Sequence, residues 1–203
     1  MLSSSSPPPS KSEKDKMLAG ELYNAFDPEL VAERQAAKEL CFQYNRLSPV
    51  QENDERKQIL QKLLRVDDAW IESPFHVDYG LHLKLGKNFY ANHGCTILDC
   101  NRIDIGDNCM LAPHVCISAA THPLEVERRA RGEEFTASIT IGNNVWIGAN
   151  ATICPGITLG NGVVVGAGAV VTKSFPDNVV IGGVPAKILK KVPGNDNQAN
   201  AGK

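Results

Sequence analysis

The feature that most constrains this sequence is a six-residue repeat between residues 141 and 171. Aliphatic residues recur at every sixth position, namely at Ile141, Ile147, Ile153, Leu159, Val165 and Val171. A small residue follows five of them, and the fifth position of each hexad is small or β-branched. A period of six fits neither an α-helix nor a half-buried strand with a period of two. It is typical of a parallel β-helix, in which each hexad forms one side of a coil and the aliphatic residue points inward.

The same register continues upstream of the main repeat. It covers Leu85, Ala91, Ile97 and Ile103 and, after a slip of two residues, Ile105, Leu111 and Ile117. One segment, about 123–138, is charged and lacks inward aliphatic residues. We therefore predict an extended loop there, projecting from the coil. Long loops on rigid scaffolds often carry functional residues.

The composition divides the chain into four predicted regions. Residues 1–14 and 193–203 are polar or rich in Ser and Pro, which predicts disordered tails. Residues 15–72 predict helices, with Asp27 and Pro28 as an N-cap and first-turn pair. Residues 73–192 then form the β-helix domain. Because the helical region is too small for a firm core of its own, we expect it to cap the exposed strand edges at one end of the coil.

Charge and cysteine content narrow the class of protein. A net charge of −2 argues against a protein built mainly to bind nucleic acid. No apolar run approaches the roughly 20 residues that cross a membrane, and the start of the chain lacks the apolar segment of a signal peptide. The six cysteines form no C-x-x-C pair, which favours small core residues in a reducing compartment over metal or disulfide roles. We expect a cytoplasmic protein without a membrane or nucleic-acid partner.

Several motifs match a known family. They are MLAGELY (17–23), NFYAN (88–92), IGDNCMLAP (105–113), ATHP (120–123), IGNNVWIGANATICPGITLG (141–160) and VVTKSFPDNVVIGGVPAKI (170–188). The chain thereby resembles the maltose, galactoside and nodulation-protein O-acetyltransferases of the hexapeptide-repeat superfamily. The resemblance covers about 14–191 and is nearest in motif to the maltose enzymes. It implies a mainly β fold, a left-handed parallel β-helix with an N-terminal helical cap, assembled as a homotrimer with active sites between neighbouring subunits.

The resemblance also implies a reaction, the transfer of acetyl from acetyl-CoA to a sugar hydroxyl without a metal. A hydroxyl is a poor nucleophile near neutral pH, so a base must take its proton, and histidine suits that task. By motif match the base is His122, which would allow direct attack without an acetyl-enzyme. The other four histidines carry no motif. The thioester oxyanion needs a donor, which the resemblance places at the backbone amide of Ala149, a position that also contacts the cofactor.

The resemblance assigns acceptor contacts to Asp78, Asn92 and Asp99. Asp78 matches the maltose enzymes, whereas Cys100 after Asp99 replaces a second carboxylate of the galactoside enzymes. This departure favours maltose or glucose over galactosides. Trp146 either shields the acceptor or packs outward. Asp27 could also contact the acceptor, although a helix N-cap explains it equally well.

Coenzyme A contacts are implied at Ala167, Thr172, Lys173, Lys187 and Lys190. The two last lysines stand where relatives often have arginine, so they can attract phosphate without its bidentate geometry. Alternatively, the lysines form a solvated basic end of the chain.

Other functions stay open at this point. Within the enzyme class the acceptor could be a galactoside, a chitin oligosaccharide, serine or an antibiotic. A zinc lyase on the same fold, with His114 and His122 as ligands, is a distant alternative because the surrounding motifs fit acetyltransferases. A scaffold protein without catalysis is the other, and the presence of both His122 and Asn92 counts against it.

Overall fold

A computed structural model describes residues 11–193 of the chain. Four helices are present there: α1 (Glu13–Leu18), α2 (Pro28–Arg46), α3 (Asn53–Leu64) and α4 (Val126–Ala130). The predicted cap at Asp27 is confirmed, since its carboxylate accepts the N–H of Glu29 at 3.0 Å. None of these helices is long and apolar enough to span a membrane.

The N-terminal tail predicted at residues 1–14 extends too far along the chain. Helix α1 begins at Glu13 because Ser12 and Asp15 form a reciprocal capping box, which satisfies free N–H groups of the first turn. Residues 1–10 and 194–203, which hold the rest of the two predicted tails, lie outside the described residues.

The remaining chain winds into a coil of about six turns with three strand-bearing faces. The first face contains β2 (Ala69–Ile71), β5 (Phe89–Ala91), β8 (Met110–Leu111), β13 (Trp146–Ile147), β16 (Val164–Val165), β18 (Val179–Gly182) and β19 (Lys187–Lys191). The second contains β3 (His76–Val77), β6 (Thr96–Leu98), β9 (Cys116–Ser118), β14 (Thr152–Ile153) and β17 (Val170–Val171). The third contains β4 (Leu83–Leu85), β7 (Ile103–Ile105), β12 (Ile139–Ile141) and β15 (Thr158–Leu159).

Successive strands on each face are parallel, and among the described strands of the three faces only β19 pairs antiparallel, at the C-terminal end of the first face. Inward residues stack in register, for example Leu111 on Ile147 and Ile147 on Val165, and all three are buried. The mainly β, parallel β-helix class predicted from the six-residue repeat is therefore confirmed. The coil starts at Ala69, before the predicted boundary at residue 73, and helices α2 and α3 pack their buried faces on the first coil.

Two corners of the coil carry most of the predicted site residues. The first corner joins the first face to the second and consists of residues 72–75, 92–95, 112–115, 148–151 and 166–169. The second corner joins the second face to the third and consists of residues 78–82, 99–102, 119–138, 154–157 and 172–174. Equivalent residues in adjacent coils are one strand spacing, about 4.8 Å, apart.

The predicted loop at 123–138 belongs to the longest of these corner segments, and it is more regular than expected. The segment holds β10 (Ala120–Thr121), α4 and β11 (Glu133–Thr136). Strand β11 pairs antiparallel with β10 on one side and with β1 (Tyr23–Asn24) on the other. Pairing satisfies backbone groups that an irregular loop would leave to water, and it ties the N-terminal region to the coil.

The outer surfaces of the faces differ in polarity. The first face presents an outward ladder of apolar side chains in register, Trp70, Tyr90, Met110, Trp146, Val164 and Val180. The third face presents Lys84, Asp104, Thr140 and Thr158 to solvent. The polar side chains of the third face suit contact with water, whereas the apolar side chains of the first face do not.

Candidate active site

His122 lies where the chain leaves the coil at the second corner, just after β10. The pairing of Ala120 with Thr136 and of Thr121 with Phe135 brings it beside Glu134. Its Nδ1 is 3.9 Å from Glu134 Oε1, and its side chain is 56% exposed. His122 thus combines an accessible ring with a carboxylate facing one of its two nitrogens.

Glu134 is itself held by Tyr23 from the N-terminal region. Tyr23 and Glu134 are opposite one another in the β1–β11 pair, and the Tyr23 hydroxyl donates to Glu134 Oε2 at 2.6 Å. Burial raises the pKa of Tyr23 far above its ordinary value, and the neighbouring Cys100 and Glu134 raise it further. The hydroxyl is therefore a permanent donor near neutral pH, and one carboxylate oxygen of Glu134 remains directed at His122.

Asp78 adjoins the same cluster from the first coil. Its Oδ2 accepts a hydrogen bond from the Cys100 thiol at 3.1 Å. Burial raises the pKa of Cys100, and the Asp78 carboxylate raises it further, so Cys100 stays a neutral donor. Cys100 is packed with Tyr23 and Tyr79 in one small core. Asp78 therefore has one oxygen engaged by the protein, while its side chain is only partly buried.

A cation stands next to this group. Arg34 on α2 donates to the Tyr79 hydroxyl at 2.7 Å and to the Ala25 carbonyl at 2.5 Å. The Arg34 guanidinium lies 5.7 Å from the centre of the Tyr79 ring. Burial acts to lower the pKa of Arg34, but the hydrogen bond to Tyr79 and the nearby Tyr23 and Asp78 raise it above its ordinary value.

The predicted contact of Asp99 with an acceptor stays a prediction, and the structure places this side chain in the interior. It is fully buried, and its oxygens accept the N–H groups of Asp78 at 3.1 Å, Tyr79 at 2.8 Å and His82 at 3.2 Å. Burial raises the pKa of Asp99, and hydrogen bonds from the amides of Tyr79, Gly80 and His82 act in the opposite direction. The carboxylate replaces missing backbone partners in the turn after β3, so it shapes the segment that carries Asp78.

Three further predicted residues line the first corner. Asn92 lies in the second coil, Ala149 in the fourth and Ala167 in the fifth. Asn92 Oδ1 accepts the N–H of His93 at 2.7 Å. Within residues 11–193 the N–H groups of Ala149 and Ala167 donate no hydrogen bond. A Cβ on Gly148 would lie 2.6 Å from the nitrogen of Ala167, so glycine is required for this close approach of adjacent coils.

The other predicted cofactor contacts are more scattered. Thr172 and Lys173 are exposed at the second corner, and Lys173 Nζ lies 5.7 Å from the centre of the Phe175 ring. Lys187 and Lys190 are exposed on β19. Trp146 points outward from the first face and is 50% exposed.

The structure does not gather all predicted residues at one place in a single chain. Asn92, Ala149 and Ala167 lie at the first corner. Asp78 and His122 lie at the second corner. The strands of the second face separate the two sets. At about 3.3 Å per strand residue, the distance between the two corners is roughly 10 Å.

Arg34 and Glu134 carry no sequence signal that marks them as site residues, and Tyr23 carries only a weak one. Tyr23 and Glu134 are 111 residues apart in the chain, and only the fold brings them together. The ending of the MLAGELY motif at Tyr23 was the one available hint.

All six cysteines are free thiols in the structure. Among residues 11–193, no three His, Cys, Asp or Glu side chains are placed to hold a metal ion together. The predicted reducing compartment stays a prediction.

Comparison with known proteins agrees with this geometry. Residues 16–65 match the maltose acetyltransferase hexapeptide capping motif, and residues 138–173 match the bacterial transferase hexapeptide model of six repeats. Galactoside O-acetyltransferase of Escherichia coli K12 is 38% identical over 184 residues, which cover 90% of this chain and 90% of that protein.

Solved structures extend the similarity to the fold. A maltose O-acetyltransferase from Clostridium difficile 630 has a TM-score of 0.87 at 42% identity, covering 91% of this chain and 99% of that one. A galactoside acetyltransferase in complex with coenzyme A has a TM-score of 0.84 at 35% identity, covering 90% and 92%. The chain belongs to the hexapeptide-repeat acetyltransferase family that includes the maltose and galactoside O-acetyltransferases. The predicted family and the predicted enzyme class, an acyltransferase, are thereby confirmed.

Substitution of Asp99 tests its structural role. Asp99→Ala leaves buried N–H groups of the 78–82 turn unpaired, so we expect the free energy of unfolding to fall by about 2–4 kcal/mol. Asp99→Asn keeps one acceptor oxygen and should lose less. Denaturant titration measures both changes. An Asp99→Ala protein with unchanged stability but a raised KM for acceptor would instead indicate direct contact with the substrate.

Proposed function

We propose that this protein transfers the acetyl group of acetyl-CoA to a hydroxyl of a maltose- or glucose-type sugar. The observation that carries the proposal is an exposed His122 ring beside Glu134, whose other oxygen accepts from Tyr23, in a fold with free N–H groups at Ala149 and Ala167. The family membership supports an acetyltransferase, and one relative's structure contains coenzyme A.

In the proposed reaction His122 is the general base. With Nδ1 directed at Glu134, Nε2 is left to accept the proton of the sugar hydroxyl. The hydroxyl oxygen attacks the thioester carbonyl, and the N–H of Ala149 donates to the oxyanion that forms. Collapse of this intermediate breaks the carbon–sulfur bond, and the imidazolium returns the proton to the departing thiolate. Acetyl sugar and free coenzyme A result, with no acetyl-enzyme and no metal.

Glu134 and Tyr23 would position the base. A carboxylate facing Nδ1 favours the tautomer with its proton there and stabilises the imidazolium during attack. The Tyr23 hydroxyl in turn fixes the second oxygen of Glu134. The N-terminal region would thus contribute directly to catalysis through a hydrogen bond to the residue that orients His122.

The acceptor would contact Asp78 and Asn92, with Trp146 screening the cleft. The partly buried Asp78 can accept from sugar hydroxyls through the oxygen not engaged by Cys100. Because Cys100 is neutral, the pocket carries less negative charge than one with a second carboxylate. A maltose- or glucose-type sugar is the favoured acceptor, and galactosides, chitin oligosaccharides, serine and antibiotics are the alternatives that an acceptor panel separates.

Acetyl-CoA would lie along the coil toward its C-terminal end. The amide of Ala167 is free to bind the pantetheine arm, and the amide of Ala149 would contact the thioester end of the same ligand. Thr172 and Lys173 would contact the same arm, and exposed Lys187 and Lys190 would attract phosphate.

The separation of the two corners within one chain supports an assembly of several subunits. We propose a homotrimer in which the first corner of one subunit meets the second corner of its neighbour, so that His122 and Asp78 approach Asn92 and Ala149 across an interface. The separation of these residues within one chain favours such packing, and so do the apolar side chains of Met110, Trp146 and Val164 on the middle coils of the first face. A cytoplasmic location is proposed with it, since six free thiols suit a reducing compartment.

Loss of the base tests the reaction. His122→Ala should lower turnover by roughly 10²- to 10⁴-fold, the usual scale for a general base, while coenzyme A binding persists. The measurement is release of free thiol from acetyl-CoA with glucose, maltose, galactosides, chitin oligomers, serine or no acceptor. Turnover within a few-fold of the unmodified protein would remove His122 from the mechanism. Thiol release with serine but with no sugar would identify serine as the acceptor in place of a sugar.

Removal of one hydroxyl tests the positioning role of Tyr23. Tyr23→Phe frees Glu134, so we expect kcat to fall about tenfold, equivalent to about 1.4 kcal/mol, with little change in KM for acetyl-CoA. The matched control is Tyr44→Phe, which removes an equally buried hydroxyl bonded to Ile71 and Arg56 in the helical cap. The control should lower the melting temperature but not kcat. Equal kcat losses in both variants would point to a general structural effect.

A further inference from the structure

A cavity lies between the helical cap and the first coil. Its volume is about 620 Å³, within the range of about 300–1,000 Å³ typical of small-molecule sites. Trp70, Glu72, Lys57 and the carboxylates of Asp67 and Asp68 line it. None of these residues takes part in the reaction proposed above.

Trp70 forms a fixed aromatic surface in this cavity. Its side chain is 69% exposed, an unusual state for a tryptophan, yet the indole Nε1 donates to Glu72 Oε1 at 2.7 Å. The hydrogen bond restrains the orientation of the ring and leaves its faces uncovered. Such a face suits the C–H side of a sugar ring, while nearby carboxylates can accept from the sugar hydroxyls.

The charges of the cavity restrict the ligand class. Asp67, Asp68 and Glu72 contribute three carboxylates. Arg56 is buried, and its guanidinium donates to the carbonyls of Tyr44 and Ile71 and to the Ser73 hydroxyl. Because its donors are already engaged, Arg56 forms part of the cavity wall. Lys57 is the other cation among the lining residues. The excess of negative charge disfavours coenzyme A and sugar phosphates, and it favours a neutral polyol.

The lining residue Glu72 lies close to the proposed acceptor contact Asn92. Ile71 pairs with Ala91, and Trp70 pairs with Tyr90. Glu72 and Asn92, which follow these strands, are therefore equivalent first-corner residues in adjacent coils, about 4.8 Å apart. A sugar chain that extends from Asn92 toward the helical cap reaches Glu72 and then Trp70.

We propose that this cavity is a subsite for the non-reacting units of an oligosaccharide acceptor. Trp70 stacks on a sugar ring, and Glu72, Asp67 and Asp68 bind its hydroxyls, while the reacting unit lies by Asn92. The proposal rests on the sugar O-acetyltransferase function above and deepens it, since it assigns a chain of several neutral hexose units as the preferred acceptor class.

Kinetics with acceptors of different length test the subsite. Trp70→Ala should lower kcat/KM for maltotetraose by up to about tenfold, and kcat/KM for glucose should stay within about twofold. Phe42→Ala is the matched control, because Phe42 is another exposed aromatic residue of the cap region but does not line this cavity. It should change neither value. Equal losses for glucose and maltotetraose in Trp70→Ala would overturn the subsite.

A binding measurement separates this proposal from the catalytic one. The chain has two tryptophans, Trp70 and Trp146, so Trp146→Phe leaves Trp70 as the one indole fluorophore. Titration of that variant with maltotetraose should change its emission to saturation, and glucose at the same concentrations should change it far less. Thiol release is assayed with the unmodified protein, because Trp146 belongs to the proposed acceptor cleft. Thiol release by that protein without any Trp70 response in the variant would overturn the subsite and leave the transfer reaction standing. A saturating Trp70 response without thiol release would support the subsite and contradict the transfer reaction.

Discussion

The six-residue register is the constraint on which the rest of this structure depends. Each inward aliphatic residue stacks on its equivalent in the next coil, as Ile147 does on Leu111 and Val165. Because successive strands keep the same register, the turns between the strands also stack. Residues that are far apart in sequence thereby come to share one corner. Ala149 and Ala167 are thereby held one strand spacing apart with their N–H groups free. The core thus sets the positions of groups suited to binding a long cofactor.

The N-terminal region does more than cover an open end of the coil. Strand β1 pairs with β11 in the segment that also carries His122, and Tyr23 donates directly to Glu134. Cys100 and Tyr79 pack with Tyr23 in one small core, and the Cys100 thiol donates to Asp78. Cap, projecting segment and first coils therefore form one hydrogen-bonded unit. In the proposed mechanism this unit fixes the base, while the regular part of the coil supplies the amides.

The sequence predicts the regular parts of the molecule well because their signals are local or periodic. The hexads predict the coil, and Asp27 before Pro28 predicts the start of α2. Contacts between distant segments have no such signal. The regular pairing of Glu133–Thr136 depends on strands before and after it in the chain, so a charged stretch with no inward residues looked like an irregular loop. Asp99 shows the same limit, since burial and three amide partners, which the motif does not reveal, give it a structural role.

The central claim, that each active site combines the two corners of neighbouring subunits, is tested most directly by complementation. His122→Ala and Asn92→Ala chains, each expected to be impaired alone, are co-expressed in equal amounts and assayed for thiol release. If the site is shared, every mixed trimer contains one intact site, and activity should recover to about one quarter of the unmodified level. If His122 and Asn92 act within the same chain, no intact site can form. Activity that stays at the level of the single variants would contradict the account.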